Sequence, residues 1–489
     1  MAAGNQPTIL IIGAGFGGIG MAIELRRNGF DDITILERAD DLGGVWRDNT
    51  YPGAACDVPS PLYSYSFEPK PDWPQRYSGR GAIHDYLHGV AQRSGVLDAI
   101  RFGVSVTDAE FDEPTGRWTV HTADGDSRVV DVLISAVGQL SRPVMPDIPG
   151  IDTFAGPSFH SAQWEHDVEL TGTRVACIGT GASAVQFIPE IQPRVAHLTL
   201  FQRTPAWVLP KFDTDYTPIQ HNLFARLPGA LQAERFGWWA LMEFLSLGLV
   251  EAPVIARLVQ RVASRHLAKQ VEDPQLRAAL TPSYPVGCKR ALFSNDYYPA
   301  LTQSNVRVET AAITEITPVG VRSADGTLHE VDAIIYGTGF KGTEFLWPMH
   351  IHGRSGRALS QVWADGAHAY YGVSVPGFPN LFLLYGPNTN LGVGSIIYML
   401  EAQARYIRQA VQLLADRPGH CLDVRADREA EFNSALQERL DRTPWNFCSS
   451  WYRNAAGRIT NNWPGPPSSY RRRIRTLDPS AYTLTPVSS

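Results

Sequence analysis

The sequence predicts an α/β protein made of two Rossmann-like dinucleotide-binding domains, with a helical insertion in the second. Three observations carry that expectation. The string "TILIIGAGFGGIGMAIELRRNG" runs from a β-branched stretch through a glycine turn into apolar residues at helical spacing; "RVACIGTGASAVQFIPEI" repeats the same grammar later; and Asp213 to Leu280 interrupts the second pattern with helical character rich in Arg, Leu and Ala.

Each element follows in order. Thr8 to Ile12 reads as a buried strand, Gly29 closes the helix after it, and "DITILER" supplies the second strand of a βαβ unit. "GRWTVHTADGDSRVVDVLISAVG" alternates and carries a D-G turn, so antiparallel strands are expected inside the first domain. "HLTLFQR" completes the second unit. Two later apolar runs, "VDAIIYGTGF" (Val331 to Phe340) and "NLFLLYGPNTNLG" (Asn380 to Gly392), are expected to return the chain to the first domain. The division is therefore 1–150 for the N-terminal part of the first domain, 151–330 for the second with its insertion at about 213–280, and 331–489 for the remainder and tail. The basic tail "YRRRIRTLDPSAYTLTPVSS" reads as a solvated or docking terminus.

Composition narrows the function classes. The chain has 489 residues, 44% hydrophobic and 19% charged, with 43 Lys and Arg against 49 Asp and Glu, a net charge of −6 that offers no basic field for nucleic acid. Cys56, Cys177, Cys288, Cys421 and Cys448 are scattered without a C-x-x-C pair, so no disulfide framework and no metal centre are expected, and a reducing cytoplasm fits. No basic segment precedes the first apolar run, which reads as a strand rather than a signal peptide. "FGWWALMEFLSLGLV" (Phe236 to Val250) is interrupted by Glu243 and too short to span a bilayer. It reads as a core or capping helix, with a hydrophobic face near a substrate entrance or a membrane surface as the alternative.

The two glycine loops carry the chemistry. Gly13, Gly15 and Gly18 fit G-x-G-x-x-G, in which the first glycine makes the turn, the second admits a pyrophosphate and the third lets helix pack on strand. Glu37, nineteen residues after Gly18, ends the next strand where a carboxylate accepts from ribose hydroxyls. In the second loop Gly179 and Gly181 are followed by Ala184. Its second strand ends in Arg203 and Thr204 rather than in an acid, which suits a 2′-phosphate and hence NADPH; a surface arginine at a strand end is the plain alternative. The first loop, whose partner strand "DAIIYGTGF" returns late in the chain, then suggests FAD. With no redox C-x-x-C between the loops, dioxygen is the remaining common electron acceptor.

One further string, "FAGPSFHSAQWE", resembles a family signature: Phe154, Gly156, His160 and Trp164 match the F-x-G-x-x-x-H-x-x-x-W of type I Baeyer–Villiger monooxygenases, with Glu165 where the family has Pro or Asp. "LGGVWRDNTYPGAACDVPS" is similar to that family's flavin-contacting segment and "GCKRALF" to its Lys-Arg pair; "WYRNAAGRITNNWPG" (Trp451 to Gly465) resembles its C-terminal segment. The resemblance implies FAD, NADPH, O2 and a ketone substrate. It implies oxygen insertion beside the carbonyl through a C4a-peroxyflavin, giving an ester or lactone.

The same resemblance places Val45, Trp46, Asp57 and Tyr63 near the flavin and Val106 at the adenine. It makes Arg290 the catalytic cation held by Asp57, and Lys289 a partner of the 2′-phosphate, although spacing alone also permits the two neighbours to exchange roles. His160 then belongs to a hinge, with Phe154 and Trp164 anchoring the linker, rather than acting as a base. Oxygenation of nitrogen or sulfur, and an uncoupled NADPH oxidase or redox sensor, are the alternative activities.

Overall fold

The computed structural model describes residues 6–448, 452–454 and 456–487; Met1 to Asn5, Trp451, Ala455 and the final Ser488 and Ser489 of the strings read above lie outside them. Two five-stranded parallel sheets form the framework. In the first, Leu381–Leu383, Val132–Ser135, Ile9–Ile12, Ile33–Leu36 and Ile100–Arg101 lie side by side in that order. Ile9–Ile12 and Val132–Ser135 are buried along their whole length, because helices cover a parallel sheet on its faces and leave no wet side. The Phe16–Arg27 and Ile396–Ala415 helices pack against each other over this sheet.

The second sheet runs Val306–Glu309, His197–Phe201, Arg174–Ile178, Ala333–Tyr336 and Ser158–His160. This corrects the expected placing of "VDAIIYGTGF". Its strand pairs with Arg174–Ile178, Ala333 opposite Val175, so it belongs to the second sheet, and only Leu381–Leu383 returns the chain to the first. The second sheet therefore extends past residue 330. A strand buried on both faces reads alike in either sheet, and its partner is chosen by packing.

Antiparallel strands Val106–Asp112, Arg117–Thr122 and Ser127–Val130 form the expected inserted sheet. Trp118, fully buried there, donates from Nε1 to the Pro379 carbonyl at 2.8 Å. The insertion consists of helices Pro218–Arg226, Ala230–Glu251, Pro253–Gln270 and Pro274–Ala279. Among the described residues no single helix is long and apolar enough to cross a membrane. Ala230–Glu251 is a capping helix: Met242 and Ser246 are buried, while Phe236 and Phe244 are 63% and 55% exposed. Glu243, which broke its apolar run, accepts from the Ser468 backbone N–H at 2.8 Å and from its Oγ at 2.7 Å, tying the insertion to the C-terminal helix Pro467–Arg473.

Of the two readings of the tail, the docked one holds: Tyr470 is fully buried and donates to the Tyr371 carbonyl, and Tyr482–Pro486 pairs antiparallel with His420–Val424. The expectation on the cysteines is corrected. Cys288 and Cys448 are joined in a disulfide with Cα atoms 6.1 Å apart. They are separated by 160 residues, so nothing in their spacing announced the pair; the fold brings them together.

Candidate active site

A cavity of about 1260 Å³ lies between the two sheets, and both glycine loops open into it. At the first loop Gly13 has φ +104°, a conformation that L side chains rarely adopt, and a Cβ there would sit 2.8 Å from the Ala136 carbonyl oxygen. A Cβ on Gly18 would run into the Gly13 carbonyl. Gly13 and Gly15 line the cavity; Gly18 lies behind them, where it lets the helix sit on the strand. The second loop repeats this. Gly179 has φ +113° and faces the Gly337 carbonyl, Gly181 lines the cavity, and Ala184 is fully buried beneath it in the packing role of Gly18. In each loop the helix N-terminus with its free N–H groups meets the cavity, the arrangement that binds a pyrophosphate.

The strand ends differ in charge. Glu37 is buried, accepts from the Ala14 N–H at 2.8 Å and pairs with Arg47 at 3.0 Å. Arg203 and Thr204 line the wall beside the second loop, together with Lys289. Among the described residues neither Arg203 nor Lys289 is ion-paired. Burial and then the Arg203 charge hold the Lys289 ammonium below its ordinary pKa. Two cations without a counter-charge form a site for a doubly charged anion, which the 2′-phosphate of NADP would satisfy.

Val45, Trp46, Tyr63 and Val106 also line the cavity, and Trp46 donates from Nε1 to the Tyr63 hydroxyl at 3.0 Å. The cradle, the acidic strand end and the two cations without an ion-pair partner among the described residues fit FAD in the first loop and NADP in the second.

Arg290 and Asp57, 233 residues apart, meet on the cavity wall. Nε of Arg290 donates to Asp57 Oδ2 at 3.0 Å and Nη2 to Oδ1 at 2.7 Å, a two-pronged pair whose arginine side chain remains 37% exposed toward the cavity. The Asp57 charge outweighs burial and raises the guanidinium's pKa still further, so it is cationic at every working pH. The loop carrying Lys289 and Arg290 is pinned on both sides. Cys288 precedes it, bonded to Cys448, and Leu292–Phe293 follows it, paired with Val208–Leu209.

The signature residues stand elsewhere. Phe154, Gly156, His160 and Trp164 do not reach the cavity wall. Ser158–His160 is the edge strand of the second sheet, and Trp164 packs on Phe159 and Phe187, ring centroids 5.3 and 5.5 Å away. Phe154 packs beside Ile151 in the same domain, so both aromatics anchor on the second domain rather than on either side of a free linker. A Cβ on Gly156 would lie 2.5 Å from the Asp332 carbonyl oxygen. His160 is buried, accepts from the Ala162 N–H at 3.1 Å through Nδ1 and is held neutral by burial. Trp238, Trp239 and Phe244 of the capping helix are also absent from this wall, whereas Tyr385 and Leu391 of the returning run Asn380 to Gly392 line it.

Sequence reasoning missed two contributors. Arg47 neutralises Glu37, and Gln186 clasps the two domains, accepting from the Tyr51 hydroxyl and donating to the Ala55 carbonyl, each at 2.9 Å. Gln186 did carry a signal as a polar side chain inside the apolar helix "ASAVQFIPEI".

Two dinucleotide cradles facing one cavity, with a fixed cation between them, define a flavin- and nicotinamide-dependent oxidoreductase. Residues 6–420 match the family described as flavin-binding monooxygenase-like, and the chain belongs to that family. A Baeyer-Villiger monooxygenase of Streptomyces coelicolor is 44% identical over 97% of this chain and 92% of its own. Among solved structures, cyclohexanone monooxygenase from Rhodococcus sp. Phi1 bound to NADP+ superposes with a TM-score of 0.87 at 27% identity, covering 99% of this chain and 100% of that one. OTEMO in complex with FAD and NADP gives 0.87 at 27% identity over 98% and 100%.

Proposed function

We propose that this chain is an FAD-dependent, NADPH-consuming Baeyer–Villiger monooxygenase that inserts one oxygen atom of O2 beside a ketone carbonyl to give an ester or lactone. The observation that carries this reading is the Asp57-held Arg290 on the wall of the cavity shared by both glycine loops. FAD, when bound, supplies the electron transfer from NADPH to dioxygen.

The chain's own residues do the rest. Arg290 presents a permanent positive charge where oxygen gains negative charge, in a cavity lined by both domains that orients the charge in advance. Asp57 fixes the plane of the guanidinium and leaves part of it free to face the reacting atoms. Arg203 and Lys289 hold the 2′-phosphate, and Gln186 keeps the domains in register.

The test is product analysis with NADPH, 18O2 and a panel of cyclic, linear and aryl ketones. A single 18O in the ester or lactone is expected. Arg290→Ala should still accept electrons from NADPH while losing ester formation. Full ester yield from that variant, or oxygenation of a thioether with none of any ketone, would overturn the reading.

A further inference from the structure

A second group of ligating side chains lies outside the cavity, behind the loop that leaves Glu37. His84 and His88 are four residues apart on the Arg80–Arg93 helix, so both imidazoles leave the same face, with ring centroids 4.8 Å apart. Asp41 reaches them from the loop: Oδ1 is 2.8 Å from His88 Nε2, and Oδ2 is 3.3 Å from His84 Nε2. One ligand atom from each of the three residues lies within 4.8 Å of the others.

We propose that Asp41, His84 and His88 form a binding site for a divalent transition-metal ion of the zinc type, held by two imidazoles and one carboxylate with water at the remaining positions. Imidazole nitrogens select zinc, copper, nickel or cobalt over magnesium and calcium, which demand oxygen shells. The spacing suits such an ion: zinc sits about 2 Å from each nitrogen or oxygen ligand, so small rotations of side chains already converging on one point complete the set.

The side chains are 15% exposed at His84, 39% at His88 and 37% at Asp41, so the cluster opens to solvent and leaves room for water. Asp41 is oriented in advance, since its Oδ1 accepts from the Leu42 N–H at 2.8 Å. A Cβ on Gly43 would meet the His84 ring, so this glycine lets the imidazole lie against the loop. His84 Nε2 also lies 3.1 Å from the Leu42 carbonyl, a contact that coordination would replace.

The site has a structural consequence. The Asp41 carbonyl accepts from Arg47 at 2.6 Å, and Arg47 pairs with Glu37 on the cavity wall. A bound ion would clamp the Glu37–Arg47 loop to the helix, which predicts higher thermal stability and slower loss of the nucleotide in the first cradle.

The experiment uses the full chain with its flavin, free of any histidine tag and stripped with EDTA. Zn2+ is titrated calorimetrically, and Co2+ and Cu2+ are followed by absorption and EPR. One ion per chain is expected, with nitrogen hyperfine structure in the Cu2+ spectrum and a rise in Tm on adding Zn2+. His88→Gln and Asp41→Asn, each at a partly exposed position, should weaken binding about 10- to 100-fold and shrink the Tm rise at a fixed Zn2+ concentration. Binding of equal strength in both variants, or no stoichiometric binding up to millimolar Zn2+, would overturn the proposal. A variant that fails to fold is replaced by His84→Gln, judged on the same titration.

Discussion

The two glycine loops share one backbone plan and differ in the charge at the end of the following strand. At the first, Glu37 is already satisfied: the Ala14 N–H and Arg47 fill its oxygens, so its charge is neutralised within the domain. At the second, Arg203 and Lys289 stand together without a carboxylate, and the second cation feels the first. One site is electrostatically complete before a ligand arrives and the other is not. The incomplete site favours a ligand that brings its own negative charge, as a 2′-phosphate does, whereas the complete site has no charge left to balance and selects by backbone N–H groups and shape.

The largest expected effect breaks the comparison at the point where the two halves meet. Arg290→Ala should lower ester formation by about 100- to 1000-fold, the cost of removing one preorganised group from a developing negative charge, with flavin reduction retained. Stopped-flow reduction beside product assay separates the two. At the second loop, Arg203→Ala should raise the KM for NADPH about 10- to 100-fold and leave NADH nearly untouched, since only NADPH carries the 2′-phosphate. Lys289→Ala should do the same about 10-fold with little change in kcat at saturation, and a fall in kcat without a KM effect would exchange its role with Arg290.

At the first loop, Glu37→Gln leaves Arg47 with only the partly exposed Asp48 as counter-charge, and the loss of about 1–3 kcal/mol should appear as FAD released on gel filtration. The smallest effect concerns His160. Burial depresses its pKa, so the unfolded chain binds the proton more tightly. Its contribution is complete above the ordinary histidine value near 6.5 and is lost as pH falls through the folded value. Urea titrations between pH 8 and 5 should show His160→Gln losing less stability toward acid than the parent chain.

Much of this was legible in the residues. The strand, glycine and helix succession announced both loops because the φ at Gly13 and Gly179 favours glycine, and the opposite charges of Glu37 and Arg203 at the two strand ends were readable from the residues alone. The fates of Ala333–Tyr336, Trp238 and Cys288 were not legible. A doubly buried strand has no side-chain pattern that names its neighbours, an amphipathic aromatic helix does not say what lies under it, and a cysteine carries no mark of a partner 160 residues away.

Local chemistry is written along the chain, and the sequence alone therefore determined the class of fold, the two phosphate cradles and the charges that distinguish them. Only the tertiary structure decided which sheet each later strand joins, that the signature around His160 is a sheet edge, and that Asp57 and Arg290 close into a two-pronged pair across 233 residues. The physical reason is range. Backbone conformation answers to neighbours within a few residues, whereas strand pairing, disulfide closure and ion pairing between domains answer to packing free energy summed over the whole core.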